Sequence, residues 1–310
     1  MKINKTKNID KFAYSNIILE LKGVSILYKG ELVLKNVSFK LRETESVAFI
    51  GQEQKHLVHL YKFINHYKYY ELSAGEIFIN GEKQVFSEIN KILKIGNNIN
   101  QSFNLIDNFS TVGERLVKLQ SDDSKFEKQL AVFKMLSFNQ NSQFQNLYYI
   151  RIERLSKFAY YIHTIMEEAI QHPNIITLDE RIDKWTPIEE VQLAIFINNI
   201  RKEYGISFII FSQNIFNVLN MVDSVGVFFK KTIVEYGTAH ELAFKSAHYE
   251  TLVRLMQIDR NTTKAFSILD YNNNLQPPTV YLSDTHYIKT WIFFNANKLS
   301  DIPEELRENL

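Results

Sequence analysis

The chain contains no cysteine, which excludes disulfides and thiolate metal sites and fits a reducing compartment. Neither sign of charge is in excess. Lys and Arg number 36 against 35 Asp and Glu, a net of +1, so composition makes no electrostatic case for binding nucleic acid. No apolar run approaches the roughly 18 residues that a spanning helix needs. The basic stretch from Met1 to Lys11 is not followed by the apolar core of a secretory signal, so a cytoplasmic location is expected. Glycine is scarce, 10 in 310 residues, under half of the usual share of about 7%. A chain of this length can hold one large α/β domain with an appendage, or two modest domains.

What is present begins with Val47-Ala48-Phe49-Ile50-Gly51-Gln52-Glu53-Gln54-Lys55-His56-Leu57-Val58. The four-residue apolar run reads as a buried strand, Gly51 as a tight turn, and Leu60, Phe63 and Ile64 as the apolar face of a helix. This is the outline of a phosphate-binding loop. A G-x-x-x-x-G-K-[ST] loop starting at Gly51 would place glycine at 56, lysine at 57 and a hydroxyl at 58, where this chain has His56, Leu57 and Val58. The glycine lets backbone N–H groups close around phosphates, the lysine neutralises them, and the hydroxyl ligates Mg²⁺. Losing one buried charge partner costs about 2–5 kcal/mol, roughly 30- to 4000-fold in affinity. Lys55 is out of register and would have to bend in to serve. Where phosphate contacts are built on glycines, their scarcity predicts lost contacts.

Alternating or continuous apolar runs predict strands at Ile17–Leu21, Val33–Phe39, Gly75–Ile79, Asn174–Leu178, Ser207–Phe211 and Val225–Phe229. Lys29-Gly30 and Asn80-Gly81 mark turns. A polar middle from about 111 to 172 is helix-rich. Phe126, Leu130, Phe133 and Leu136 fall at helical spacing, as do Ile162, Ile165, Met166, Ala169 and Ile170. Asn272-Asn273-Asn274 and Pro277-Pro278 mark a linker, followed by a strand over Tyr287–Phe294 and a short helix after Pro303. The alternation of helices and strands predicts a mostly parallel sheet.

In this order the segments resemble the ATP-binding domain of ABC transporters, most of all the first half of the tandem ATPases of sugar and nucleoside importers. Ser73-Ala74-Gly75-Glu76-Ile77-Phe78-Ile79-Asn80-Gly81 is similar to a hairpin of that family, and Asn100-Gln101-Ser102-Phe103-Asn104-Leu105-Ile106 to its Q-loop. Ile175-Ile176-Thr177-Leu178-Asp179-Glu180 resembles its Walker B strand, and Thr186-Pro187-Ile188-Glu189-Glu190-Val191 the helix after the D-loop. The resemblance covers roughly residues 16–260. It implies a P-loop NTPase-like α/β fold: a mostly parallel sheet, an antiparallel β subdomain and a helical subdomain at about 102–158. Residues 1–15 would be a solvated tail, with Lys5, Lys7 and Lys11 in it, and 261–310 an extension of unknown role.

Carried over, the resemblance implies a stripped Mg·ATP site. Tyr28 stands where the family stacks an aromatic on adenine, although an ordinary packed tyrosine is the other reading. Gly51 and Lys55 belong to the degenerate loop. Gln101 matches the glutamine that contacts Mg²⁺ and signals to the permease, with a strand-end cap as the alternative. Asp179 would orient Mg²⁺ and Glu180 would be the general base, both vestigial if nothing holds the phosphate. Leu155-Ser156-Lys157-Phe158-Ala159 stands in place of LSGGQ, keeping Ser156 but replacing both glycines. Gln213 replaces the switch histidine and can donate a hydrogen bond but carries no charge. The D-loop region, Arg181-Ile182-Asp183-Lys184-Trp185, also departs. Trp185 reads as core packing, with a partner contact as the alternative. His56 and His59 read as solvated helix residues rather than a metal pair.

The expectation is a degenerate ABC ATP-binding subunit acting through contacts with a permease, a second ATP-binding domain or a regulatory partner. Two alternatives stand beside it. One is a divergent active ATPase that powers uptake of a sugar or nucleoside. The other is a soluble scaffold or regulator whose 261–310 tail docks a partner.

Overall fold

The computed structural model describes residues 16–51, 54–84, 95–96, 110–120, 132, 135, 146–256 and 277–290. Residues 1–15, Gln101 with its surrounding segment, the pattern residues Phe126, Leu130, Phe133 and Leu136, Asn272–Asn274 and the helix after Pro303 lie outside the described residues.

Two sheets organise the chain. β1 (Ile17–Tyr28) and β2 (Glu31–Arg42) form a long hairpin, and β4 (Tyr70–Ile79) pairs on the other edge of β1. β5 (Glu82–Lys83) follows a turn in which Asn80 and Gly81 both have positive φ, as a two-residue hairpin requires. The order of this antiparallel sheet is β2-β1-β4-β5.

The larger sheet is built on β3 (Ser46–Ile50), β6 (Ile95–Gly96), β7 (Ile175–Leu178), β8 (Ser207–Ser212) and β9 (Ser224–Phe229), all in parallel pairs. β10 (Thr232–Thr238), β11 (Thr279–Tyr281) and β12 (Tyr287–Lys289) add antiparallel strands, giving the order β11-β12-β10-β9-β3-β8-β7-β6. β3 shows how strand periodicity separates two cores. Val47 and Phe49 point into one apolar cluster, Ala48 and Ile50 into the other.

On the first face lie the antiparallel sheet and α1 (Gln54–Asn65), which buries Leu57, Leu60, Phe63 and Ile64. Burying those four side chains contributes roughly 6–12 kcal/mol before chain entropy is subtracted. The second face is covered by α3 (Lys157–Ala169) and α4 (Pro187–Tyr204), with α2 (Val112–Leu119) beyond them. Local sequence sets these helix starts. Thr111 with Glu114 and Thr186 with Glu189 form capping boxes, and Pro187 occupies the first turn of α4. α5 (Ile215–Val218), α6 (Ala239–Lys245) and α7 (Tyr249–Met256) complete the described helices.

The largest departure from the sequence reading is at the C-terminal end. Pro277-Pro278, expected as linker, lead directly into a hairpin, and the Thr290 N–H donates to the Pro278 carbonyl at 3.3 Å. The strand expected over Tyr287–Phe294 is observed as β12 at its first three residues, and 291–294 lie outside the described residues. This hairpin extends the main sheet through β10.

Gly75 carries an obligation that its hairpin sequence does not reveal. Its φ is +88°, and a Cβ there would lie 2.4 Å from the Gly23 carbonyl oxygen. Gly75→Ala is therefore expected to cost about 2–4 kcal/mol, from a disfavoured φ and a backbone clash together. A urea unfolding curve checks this; a midpoint within error of the parent would refute it.

Candidate functional site

The site is assembled at the C-terminal ends of β3, β7 and β8. Gly51 directly follows β3, is buried, and donates its N–H to the Ser212 carbonyl at 3.2 Å. It does not have the positive φ that only glycine takes easily, and a methyl there would meet Phe228 at 3.4 Å and Leu57 at 3.6 Å. The turn that follows, through Gln52 and Glu53, lies outside the described residues. α1 already begins at Gln54, so Lys55 lies within its first turn and only residues 51–53 separate strand from helix. The Lys55 side chain lies outside the described residues. Leu57, at the position where lysine would reach phosphate, is 3% exposed and packed in the core beneath.

Tyr28 sits at the end of β1 with its ring 5.4 Å from His59 and 5.1 Å from Tyr70, and the Lys29 ammonium 5.5 Å above it. The His59 ring makes a 3.2 Å hydrogen bond with the Tyr70 hydroxyl. His59, expected as a solvated residue, is half-buried in this aromatic cluster. No group of three metal-ligating side chains occurs among the described residues.

Asp179 leaves buried β7 as the cap of a short 3-10 turn, Glu180–Lys184, with Glu180 half-buried at its first position. Its carboxylate is engaged by Arg181: the backbone N–H at 3.2 Å, and Nε at 2.9 and 3.1 Å from the two oxygens. The Tyr61 phenol, on α1, is pushed up to about 12 by burial first and by the Asp179 charge second. Asp183, in the same turn, accepts from the Ser212 hydroxyl, the Gln213 backbone N–H at 2.8 Å and the Asn217 amide at 3.3 Å. Burial raises its carboxyl above the usual range, with these hydrogen bonds opposing. The Gln213 residue itself is exposed.

Ser156 caps α3, its hydroxyl accepting from the Ala159 N–H at 3.1 Å. Phe158, which replaces a glycine of the signature, is buried with its ring 5.2 Å from Trp185, and Trp185 lies 5.2 Å from Tyr161. Trp185 thus packs on the core as expected. Ser156, Leu155 and Phe158 face Thr186, Ile188 and Gln192 across a cleft of about 460 Å³.

The structure brings Gly51, Asp179, Glu180 and Gln213 to one end of the sheet and places Tyr28 with the antiparallel sheet. Gln101 lies outside the described residues. Sequence reasoning missed the Arg181–Asp179 contact and the bonding of Asp183. The first depends on the 3-10 turn, and the second joins residues that are distant in sequence.

No protein-family model matches the chain. It is 30% identical over 196 residues to the phosphonates import ATP-binding protein PhnC of Mycoplasma mycoides, covering 58% of this chain and 78% of that protein. The chain belongs to the ABC transporter ATP-binding proteins. Within that family it is 25% identical over 301 residues to the galactose/methyl galactoside import ATP-binding protein MglA of Clostridium perfringens, covering 94% of this chain. The chain spans about half the length of that relative, 52%. Among solved structures it resembles cbiO1 of Clostridium perfringens, part of the ABC transporter complex cbiONQ, with a TM-score of 0.62 at 17% identity, covering 78% of this chain and all of that one. A nucleotide-free ATP-binding cassette from an ABC transporter gives a TM-score of 0.55 at 15% identity, covering 80% of this chain and 98% of that one. The fold is that of the ABC ATPases: a mostly parallel sheet with an antiparallel β subdomain.

Proposed function

We propose that this ABC ATP-binding subunit is degenerate. In this reading it does not hold Mg·ATP in the usual way and acts through contacts with a permease or a second ATP-binding domain, at the inner face of the cell membrane. Residues 16–260 would carry the ATP-binding domain, with its helical subdomain at about 102–158, and 261–310 would be an appended segment. The reading rests chiefly on the start of α1. A P-loop offers a run of backbone N–H groups between its first glycine and its lysine. Here Gln54 to His56 are already helical, and Leu57 is packed into the core. The helix N-terminus still favours an anion, but without lysine or magnesium hydroxyl ligand that attraction is weak. Asp179, which would orient Mg²⁺, is engaged by Arg181. These residues do not fit the nucleotide.

Isothermal titration with Mg·ATP is expected to give no saturable heat, and micromolar binding would overturn the reading. The competing reading, a divergent ATPase, draws support from Asp179 and Glu180 at the end of β7. Steady-state phosphate release that disappears in Glu180→Gln would establish it.

A further inference from the structure

Arg181 is positioned by several groups at once. Its backbone N–H and Nε both reach the Asp179 carboxylate. Its guanidinium carbon lies 5.7 Å from the ring centre of Tyr161, which is buried and packed against Trp185. Asp179 stands half-buried at the mouth of a buried strand, where a cation beside the carboxylate offsets the solvation it has lost. Arginine is suited to supply that cation, because its planar group can bond the carboxylate and lie against a ring.

We propose that Arg181 is a resident cation, taking at Asp179 the electrostatic place that a divalent metal would take and keeping metal away from that carboxylate. This rests on the degenerate reading above. A metal ion approaching Asp179 meets a fixed like charge and must displace a group tethered two residues away. Arg181 is thus a positioning residue, and its consequence is a subunit whose fold and contacts are indifferent to Mg²⁺.

The test uses the full chain and Mn²⁺ alone, without nucleotide, read as loss of the free-ion electron paramagnetic resonance signal. Mg·ATP calorimetry judges the degenerate reading; Mn²⁺ alone judges Arg181. The unaltered protein is expected to show no saturable Mn²⁺ binding at Asp179. Arg181→Gln and Arg181→Thr are expected to bind Mn²⁺ at least about tenfold more tightly than the parent, and adding Asp179→Asn should abolish the gain. Arg181→Lys, which restores a cation, should remain metal-free; a purely structural arginine would leave Lys and Gln variants alike. The proposal is overturned if the parent binds Mn²⁺ in a manner abolished by Asp179→Asn, or if a folded Gln or Thr variant gains nothing. It is also overturned if neither variant folds, since Arg181 would then be a structural requirement alone.

Discussion

Replacing Glu235 by alanine is expected to cost about 3–5 kcal/mol of stability, a large part of the roughly 5–15 kcal/mol that keeps a typical protein folded. Glu235 lies on β10 and is fully buried. One oxygen accepts from the Ala247 N–H at 2.9 Å and lies 2.7 Å from His286 Nε2, while the other accepts from the His248 N–H at 3.2 Å. Removing the carboxylate takes this acceptor from the buried His248 N–H and His286 imidazole, each worth about 1–3 kcal/mol when unmet, and from the half-buried Ala247 N–H as well. Glu235→Gln retains an acceptor and should lose less than half as much. Guanidinium unfolding of both variants checks the order; a Gln variant as weak as the Ala variant would argue against hydrogen bonding as the cause. Because this carboxylate ties β10, the approach to α7 and the C-terminal hairpin together, cutting the chain after Arg260 would damage the sheet. Loss of partner binding on such a truncation would not identify the tail as a docking element.

Stability is also expected to rise steeply with pH between about 7 and 10. Burial pushes the Lys289 ammonium down to about 7 from its usual value near 10.5. Above the folded value the native protein has released this proton while the unfolded chain still holds it. The unfolded state then binds more protons, and stability rises with pH through that window. Over the full interval the gain is at most about 5 kcal/mol. The neutral amine keeps two N–H groups, matching the Thr232 hydroxyl at 2.8 Å and the Asn36 carbonyl. Buried Tyr236 and Tyr287 act oppositely, their phenols being raised by burial, so stability should fall again above about 10. At the acid end His248, pushed down to about 4 by burial, favours higher pH, whereas the raised carboxyls of Glu45 and Asp183 oppose it. The alkaline limb is the clean one. Thermal melts at intervals from about pH 6.5 to 10.5, bracketing the window, measure it. Lys289→Met should flatten it; an unchanged slope in that variant would assign the effect elsewhere.

Much of this architecture was legible in the sequence because it is written in apolar period. The strand ending in Asn80-Gly81, the run 47–50 and the face of α3 each follow from which residues avoid water and how often they recur. Within the site, spacing alone located Leu57 and Val58 where a phosphate loop would have lysine and a hydroxyl, and the packed Leu57 gives that absence a physical form. Polar burial was not legible. Glu235, His286 and Lys289 are of residue types that are seldom fully buried, yet all three are buried and bonded to partners far away in sequence. Nothing local distinguishes such a residue from a surface one. The same holds for Arg181, whose meeting with Asp179 depends on a turn that periodicity does not describe.

The reach of the C-terminal hairpin bears on how the molecule is made. Lys289 bonds Asn36 across 253 positions, and Tyr287 bonds the Ser38 carbonyl at 2.6 Å across 249. At about 5–20 residues per second of synthesis, roughly 13–50 s pass between the ribosome's first and last contributions to this clasp. Throughout that interval the β2 groups at Asn36 and Ser38 lack these partners, whereas the edge of β10, complete at Thr238, waits only about 2–10 s for the strand that begins at Tyr287.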